Sequence, residues 1–278
     1  MSDNPNVDVG GLMIGPDSPV RVMSAINLSP ESFYRGAVAD SIDTFHAMID
    51  TASKEGVDII DIGGMSTAPK QVYGTGDISV EEEAKRVSQA LDSITVSKHP
   101  PISIDTTSSK VAEIALELGA SMLNDISGLQ ADSEMAELVA DRGVPIVLMA
   151  NCGMPCGSVQ ASLKSLKDSL NLATGAGIES DKIIVDPGIG FGKPPSVDVA
   201  ILQELTRFLE LGHPLLIGVS RKAFIGHLLG QPDPDDRLIG SVVATTVAVM
   251  NGANVIRTHD VRETKVAIQM GEALRRSK

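Results

Sequence analysis

Short apolar, β-branched runs alternate along this chain with segments whose apolar residues return every three or four positions. The runs predict strands near Val20–Asn27, Val57–Ile62, Ile102–Asp105, Met122–Asp125, Pro145–Met149, Lys182–Asp186, Pro214–Val219 and Asn254–Thr258. The helical period predicts helices near Ser41–Glu55, Ser79–Ile94, Ser109–Leu118, Ser133–Asp141, Val159–Ala176, Ser196–Leu211, Asp235–Met250 and Arg262–Arg275. Short, near-continuously apolar strands belong to a parallel sheet covered on both faces. Ser79, with Glu82 three residues on, marks one helix start, and Ser133 marks another more weakly. Glycines close several helices, at Gly56, Gly119, Gly143, Gly212 and Gly252. Repeated strand–helix units at this length fit an α/β fold of the closed (β/α)8 type, a TIM barrel forming one domain over residues 1–278. The segment Asp8–Ser18 is expected to form a short N-terminal hairpin that closes the barrel bottom.

Composition narrows the class. Of 278 residues, 42% are hydrophobic and 21% charged, enough for a large core. The formal net charge of -13 argues against nucleic acid and anionic membrane as partners. No apolar run approaches the roughly 20 residues of a membrane span, and MSDNPNVDVGG lacks the marks of a secretory signal, so a cytoplasmic protein is the expectation. The only cysteines, Cys152 and Cys156, lie four apart in NCGMPCG. They are too few for a disulfide framework and lack the partners of a zinc site, so they are expected to be reduced loop thiols.

Chemistry in such barrels sits at the C-terminal strand ends, and polar residues gather there. Asn27, Asp61, Asp105, Asn124, Asp125, Asp186, Ser220, Arg221, Lys222, Arg257 and His259 all fall on or just past these ends. Any one of them could cap a helix, and Arg257 could form a structural bridge to Asp61 or Asp260. Together they suggest a site. The run DPGIGFGK, Asp186–Lys193, sets an acid at a strand end before an open glycine loop. Asp105, Asn124 and Asp186 supply acceptors and an amide suited to a heterocycle edge rich in N–H and C=O, and Lys222 adds a movable cation. Asn27, Arg257 and His259 suit a phosphate or pyrophosphate. A ring site beside an anion site implies an activated heterocycle that loses pyrophosphate.

These residues lie in runs that resemble the dihydropteroate synthases of the pterin-binding barrel family. The runs are INLSPESF, DIGGMST, ISIDT, LNDISG, LMANCGMP, DPGIGFGK, GVSRKAFIG and IRTHDV, in order from Ile26 to Val261. The resemblance implies condensation of 6-hydroxymethyl-7,8-dihydropterin diphosphate with p-aminobenzoate, giving dihydropteroate and diphosphate in folate biosynthesis. It implies a pterin site of Asp105, Asn124, Asp186 and Lys222, and a diphosphate site of Asn27, Thr67, Arg257 and His259. Magnesium is implied as cofactor, with Asn27 near the metal. Phe191, Arg221 and Lys222 would border the arylamine. Lys222, Arg257 and Asp105 would position the reactants, with no covalent nucleophile or acid–base group. A homodimer packed through late barrel helices is also implied, with the apolar run Ile239–Val249, including Ser241, Ala244, Thr245 and Ala248, as a candidate face.

The chain departs from the family pattern mainly on the arylamine side. STAPK stands where the family commonly reads STRPG, placing Ala68 at the arginine, and Ala223 stands where it has serine. Ala150 and Asn151 follow the fifth strand in place of His-Met, Met65 replaces an acid, and the first loop reads PESFYRGAV. Arg35, Lys70 or Arg221 could meet the p-aminobenzoate carboxylate instead. The loop and the acidic charge also suit an archaeal-type member using a ribosylated aminobenzene phosphate. Two further readings remain: a methyltransferase passing a methyl group from a reduced methylpterin to a corrinoid protein, and a non-catalytic pterin-binding protein. Keeping Lys222, Arg257 and His259 favours the synthase, because neither alternative needs an anion site.

Overall fold

The computed structural model describes residues 5–29, 34–65, 78–94, 99–153 and 155–276. Its centre is an eight-stranded parallel sheet. The strands are β3 (Arg21–Asn27), β4 (Ile59–Gly63), β5 (Ile102–Asp105), β6 (Met122–Asp125), β7 (Ile146–Met149), β8 (Ile183–Asp186), β9 (Leu216–Gly218) and β10 (Val255–Thr258). Their order, β8-β7-β6-β5-β4-β3-β10-β9, follows the chain around a ring, and a bridge from Val185 to Leu215 joins its two ends. The expected (β/α)8 barrel is therefore present. The expected hairpin is present too, as β1 (Val7–Val9) paired antiparallel with β2 (Leu12–Ile14).

Alternation along each strand explains how the site is built. One residue points into the barrel and the next outward. Ile60, Ile62, Ile104, Leu123, Leu148, Val185, Ile217 and Ile256 belong to the core between sheet and helices. Met23, Ile59, Met122, Val147, Ile184, Leu216 and Val255 form a second, inner cluster. Val7, Val9 and Ile14 of the hairpin plug that cluster from below. Two residues further along several strands, the inward row turns polar: Asp61, Asn124, Asp186 and Arg257. The barrel thus has an apolar floor and a polar mouth.

The surrounding helices are α1 (Ile42–Lys54), α2 (Val80–Ser93), α3 (Ser109–Glu117), α4 (Met135–Arg142), α5 (Val159–Gly175), α6 (Pro195–Gln203), α7 (Ala223–Leu229), α8 (Leu238–Met250) and α9 (Val261–Arg276). Ser79 caps α2 by accepting the Glu82 N–H at 3.2 Å, as expected. Ser133 does not cap α4; instead Asp132 accepts the Glu134 N–H at 3.0 Å. The helix expected over Ser196–Leu211 stops at Gln203 and continues as a 3-10 turn, Leu205–Leu211. Likewise the start expected at Asp235 is a 3-10 turn, Pro234–Arg237, ahead of α8. Helix α7 has no counterpart among the expected elements, because its seven residues are too few to display a helical period. Among the described residues, no helix is long and apolar enough to cross a membrane.

The cysteine expectation is overturned. Cys152 and Cys156 form a disulfide, their α-carbons 5.4 Å apart. The chain turns at the first cysteine, where Asn151 Oδ1 accepts the Gly153 N–H at 2.9 Å and Gly153 takes a φ of 72°. Chain closure here depends on loop shape, which two isolated cysteines do not reveal.

Candidate active site

Register places the first polar tier. Asn27, Gly63, Asp105 and Asn124 are successive pairing partners across β3, β4, β5 and β6, so they share one level of the barrel mouth. Gly63 keeps this level open: a Cβ there would lie 3.6 Å from Asn27 Oδ1 and 3.7 Å from the Asp105 Cβ. From β10, the strand beside β3, Arg257 reaches over this level. Its Nε donates to Asp61 Oδ2 at 2.6 Å and its Nη2 to Asp105 Oδ2 at 2.9 Å. Asn124 Nδ2 donates to the same Asp61 oxygen at 3.1 Å. The structural bridge between Arg257 and Asp61 is thus real, and it coexists with the site. Asp61, fully buried, goes beyond the expected bridge: it fixes both Arg257 and Asn124.

The glycine loop after β8 forms the next wall. Asp186 Oδ1 accepts the Gly188 N–H at 2.7 Å. Lys222 Nζ donates to the Ile189 carbonyl and stands 4.6 Å over the Phe191 ring. Gly190 has to be glycine: its φ is 79°, and a Cβ would meet Lys222 Cδ at 2.4 Å. Burial pushes the Asp186 carboxyl up, opposed first by the Lys222 ammonium and then by the Gly188 N–H. Burial also lowers Lys222 to about 8, opposed by Asp186 and assisted by the nearby Arg257.

His259 stands at the rim of the anion side. Ser220 Oγ lies 3.0 Å from its Nδ1 and 3.4 Å from Asp260 Oδ2. Burial, together with the Arg257, Arg221 and Lys222 charges, depresses the imidazole to about 3, so it is neutral near pH 7. The Ser220 contact holds the orientation of this neutral ring.

Arg221 is less open than the sequence suggested. Its Nη2 and Nε donate to Asp260 at 2.7 and 2.9 Å, and its Nη1 donates to the carbonyls of Pro234 and Asp235. The Tyr34 ring covers its face, 4.6 Å from the guanidinium, and also packs against His259 with ring centres 5.1 Å apart. Arg221 therefore shapes the rim, with Nε, Nη1 and Nη2 each engaged by neighbouring groups of the chain. Its φ of 54° is a left-handed conformation that disfavours any side chain. The Ser241 hydroxyl, accepting its N–H at 2.8 Å, and Arg237, donating to its carbonyl at 3.0 Å, hold that conformation. Strain maintained in this way is typical of functional loops. Tyr34 was not singled out from sequence, since an aromatic in a first loop has no distinguishing period.

Among the expected site residues, the structure gathers Asn27, Asp105, Asn124, Asp186, Phe191, Lys222, Arg257 and His259 at one mouth. Thr67 lies outside the described residues, as do Ala68 and Lys70, and nothing is described of the Arg35 side chain.

The sequence profile of the family described as pterin binding enzyme matches residues 23–259. The dihydropteroate synthase of Clostridium beijerinckii is 38% identical over 256 residues, 91% of this chain and 93% of that protein. A solved dihydropteroate synthase from Coxiella burnetii, in complex with pteroic acid, shares 34% identity at a TM-score of 0.88, covering 99% of this chain and 100% of that one. Another, from Xanthomonas albilineans with 4-aminobenzoic acid, shares 36% identity at a TM-score of 0.87, covering 98% of each. The barrel, its polar mouth and these whole-length likenesses agree, and the chain belongs to the pterin-binding enzymes as a dihydropteroate synthase.

Proposed function

We propose that the protein joins 6-hydroxymethyl-7,8-dihydropterin diphosphate to p-aminobenzoate, releasing diphosphate and forming dihydropteroate for folate biosynthesis. It is a transferase of an alkyl group other than methyl, like its relatives. The observation that carries this reading is the hydrogen-bonded cluster of Asp61, Asp105, Asn124 and Arg257, which sets hydrogen-bonding groups for a ring directly beside a fixed guanidinium. A pterin edge would meet Asp105, Asn124 and Asp186, with Lys222 above it. The diphosphate would meet Arg257, His259 and Asn27, with Thr67 assigned there by resemblance alone.

The reaction then needs little from the side chains beyond placement. The bond from the pterin methylene carbon to the bridging oxygen breaks, and its electron pair leaves with diphosphate. Cations and neutral donors stabilise that growing charge. The lone pair of the arylamine, held near Phe191 and Lys222, forms the new C–N bond, and the amine proton passes to solvent. No side-chain base is required to free the amine, because the aniline is neutral near pH 7, and no side chain is assigned as a covalent nucleophile.

Magnesium fits this scheme as an ion carried on the diphosphate. Among the described residues there is no cluster of three or more His, Cys, Asp or Glu side chains able to cage a metal. One carboxamide oxygen, from Asn27, suits a cation that keeps waters and binds mainly through substrate phosphates. Bound there, it would neutralise charge on the leaving group.

A homodimer is also supported. Ser241, Thr245 and Ala248 of α8 face inward and are buried, so they are not the contact face. Ile239, Val243 and Val247 face outward instead, and Val266, Met270 and Leu274 of α9 are exposed at the same four-residue spacing. These two helices pack together, so the two stripes lie on neighbouring helices. Exposed apolar patches of this kind mark association surfaces.

The synthase is separated from a methyl-transferring relative by product analysis. Incubation with the pterin diphosphate and p-aminobenzoate should yield dihydropteroate and diphosphate in equal amounts, and added chelator should slow both. Methyl transfer from a methylpterin to a corrinoid protein, with no condensation product, would sink the reading.

A further inference from the structure

Two buried charges stand behind the glycine loop and take no part in the chemistry above. Lys193 is 6% exposed and Asp198 2%. Lys193 Nζ donates to the Gly188 carbonyl, and Asp198 Oδ1, in the first turn of α6, accepts the Gly190 N–H at 2.9 Å. Between these anchors lies Ile189, whose carbonyl receives the Lys222 ammonium. Consecutive carbonyls of one loop thus serve two different lysines, Gly188 serving Lys193 and Ile189 serving Lys222. The positive φ angles of Gly188, Gly190 and Gly192 (72°, 79° and 74°) permit that alternation.

We infer that Lys193 and Asp198 are positioning residues, which fix the 188–192 loop from behind and so set the Lys222 ammonium and the Phe191 ring against the arylamine. The inference rests on the roles assigned above to Lys222 and Phe191. Burying an ammonium and a carboxylate is costly, and a well-packed apolar pair would serve stability as well or better. What the charged pair adds is direction: each member is tied to one named backbone atom of the loop. Burial lowers Lys193, opposed first by Asp198 and then by Asp186, and it raises Asp198, opposed by the Gly190 N–H, Lys222 and Lys193. The two residues therefore sense each other as well as the loop.

Lys193→Met tests this, with Lys193→Arg as the rescue. A misplaced reacting group costs on the order of a hundredfold in rate. The expected result for Lys193→Met is a kcat lower by that order and a raised KM for p-aminobenzoate. The calorimetric Kd for pterin diphosphate should rise by a smaller factor than that KM, since Asp186 and Lys222 touch the loop but the Asp105, Asn124 and Arg257 contacts do not pass through it. Lys193→Arg should recover part of kcat. A purely structural role would lower Tm and leave kcat and KM per folded enzyme unchanged, and that outcome overturns the inference. If Lys193→Met does not fold, the near-isosteric Asp198→Asn carries the same kinetic test. Crystal structures of wild type and variant give a reading independent of turnover: the Ile189 carbonyl should leave Lys222 in the variant, and an unchanged contact overturns the inference. A wild-type enzyme that released no diphosphate would defeat the functional reading instead, and the crystallographic comparison would still decide this one.

Discussion

Arg257 has two jobs that substitution can separate. It neutralises Asp61 and Asp105, and it is the guanidinium nearest the proposed diphosphate. Removing one partner of a buried ion pair costs about 3–5 kcal/mol, because the remaining charge stays uncompensated. Arg257→Ala is expected to lose about that much stability, read from the urea midpoint, and to weaken pterin diphosphate binding in calorimetry. Adding Asp61→Asn should restore part of the stability and none of the affinity. Acid–base behaviour is a second test at this scale. With Lys222 at about 8 in the free enzyme, kcat/KM for pterin diphosphate should fall as pH rises past that value. Lys222→Arg should move this limb out of range. Stability should run the other way: between about 8 and the ordinary lysine value of 10.5 the unfolded chain holds more protons, so stability rises with pH. Individual site residues were legible because strand ends confine chemistry to few positions. Asp61 was read only as a structural partner, since its second contact, to Asn124, joins β4 to β6 across the barrel mouth and has no local signature.

Among the elements, the strands were the most legible. β5 and β6 begin and end where the apolar runs predict. Helices were less so where tertiary contacts override period: α6 stops at Gln203 although the apolar pattern runs on to Leu211, and α7 is too short to show one. The loop after β8 was visible as three glycines, yet its shape depends on Lys193, Asp198 and Lys222 acting from different elements. Gly190→Ala tests that shape. The left-handed conformation alone costs roughly 1–2 kcal/mol for a residue with a side chain, and the new methyl would displace Lys222. We expect a loss of stability in that range by thermal denaturation, with a larger loss of kcat than either effect would give alone.

For the whole molecule, the closed ring and its hairpin plug followed from alternation and length, because a parallel sheet of this size has few ways to bury both faces. The outward stripes on α8 and α9 were not separable from core-facing ones by composition; the small residues of the same run turned out to face the barrel. Ile239→Glu with Met270→Glu should shift sedimentation from dimer to monomer while leaving far-ultraviolet dichroism unchanged, and a wild-type monomer at micromolar concentration would refute the dimer. The strongest single test of the account is diphosphate release by the purified protein, measured with pterin diphosphate and p-aminobenzoate in magnesium buffer, for wild type beside Arg257→Ala. The account predicts release that depends on both substrates, matches dihydropteroate mole for mole, and falls at least a hundredfold in the variant, as befits loss of a charge stabilising the leaving group. Release that continued without the arylamine, or that was equal in the two proteins, would contradict it.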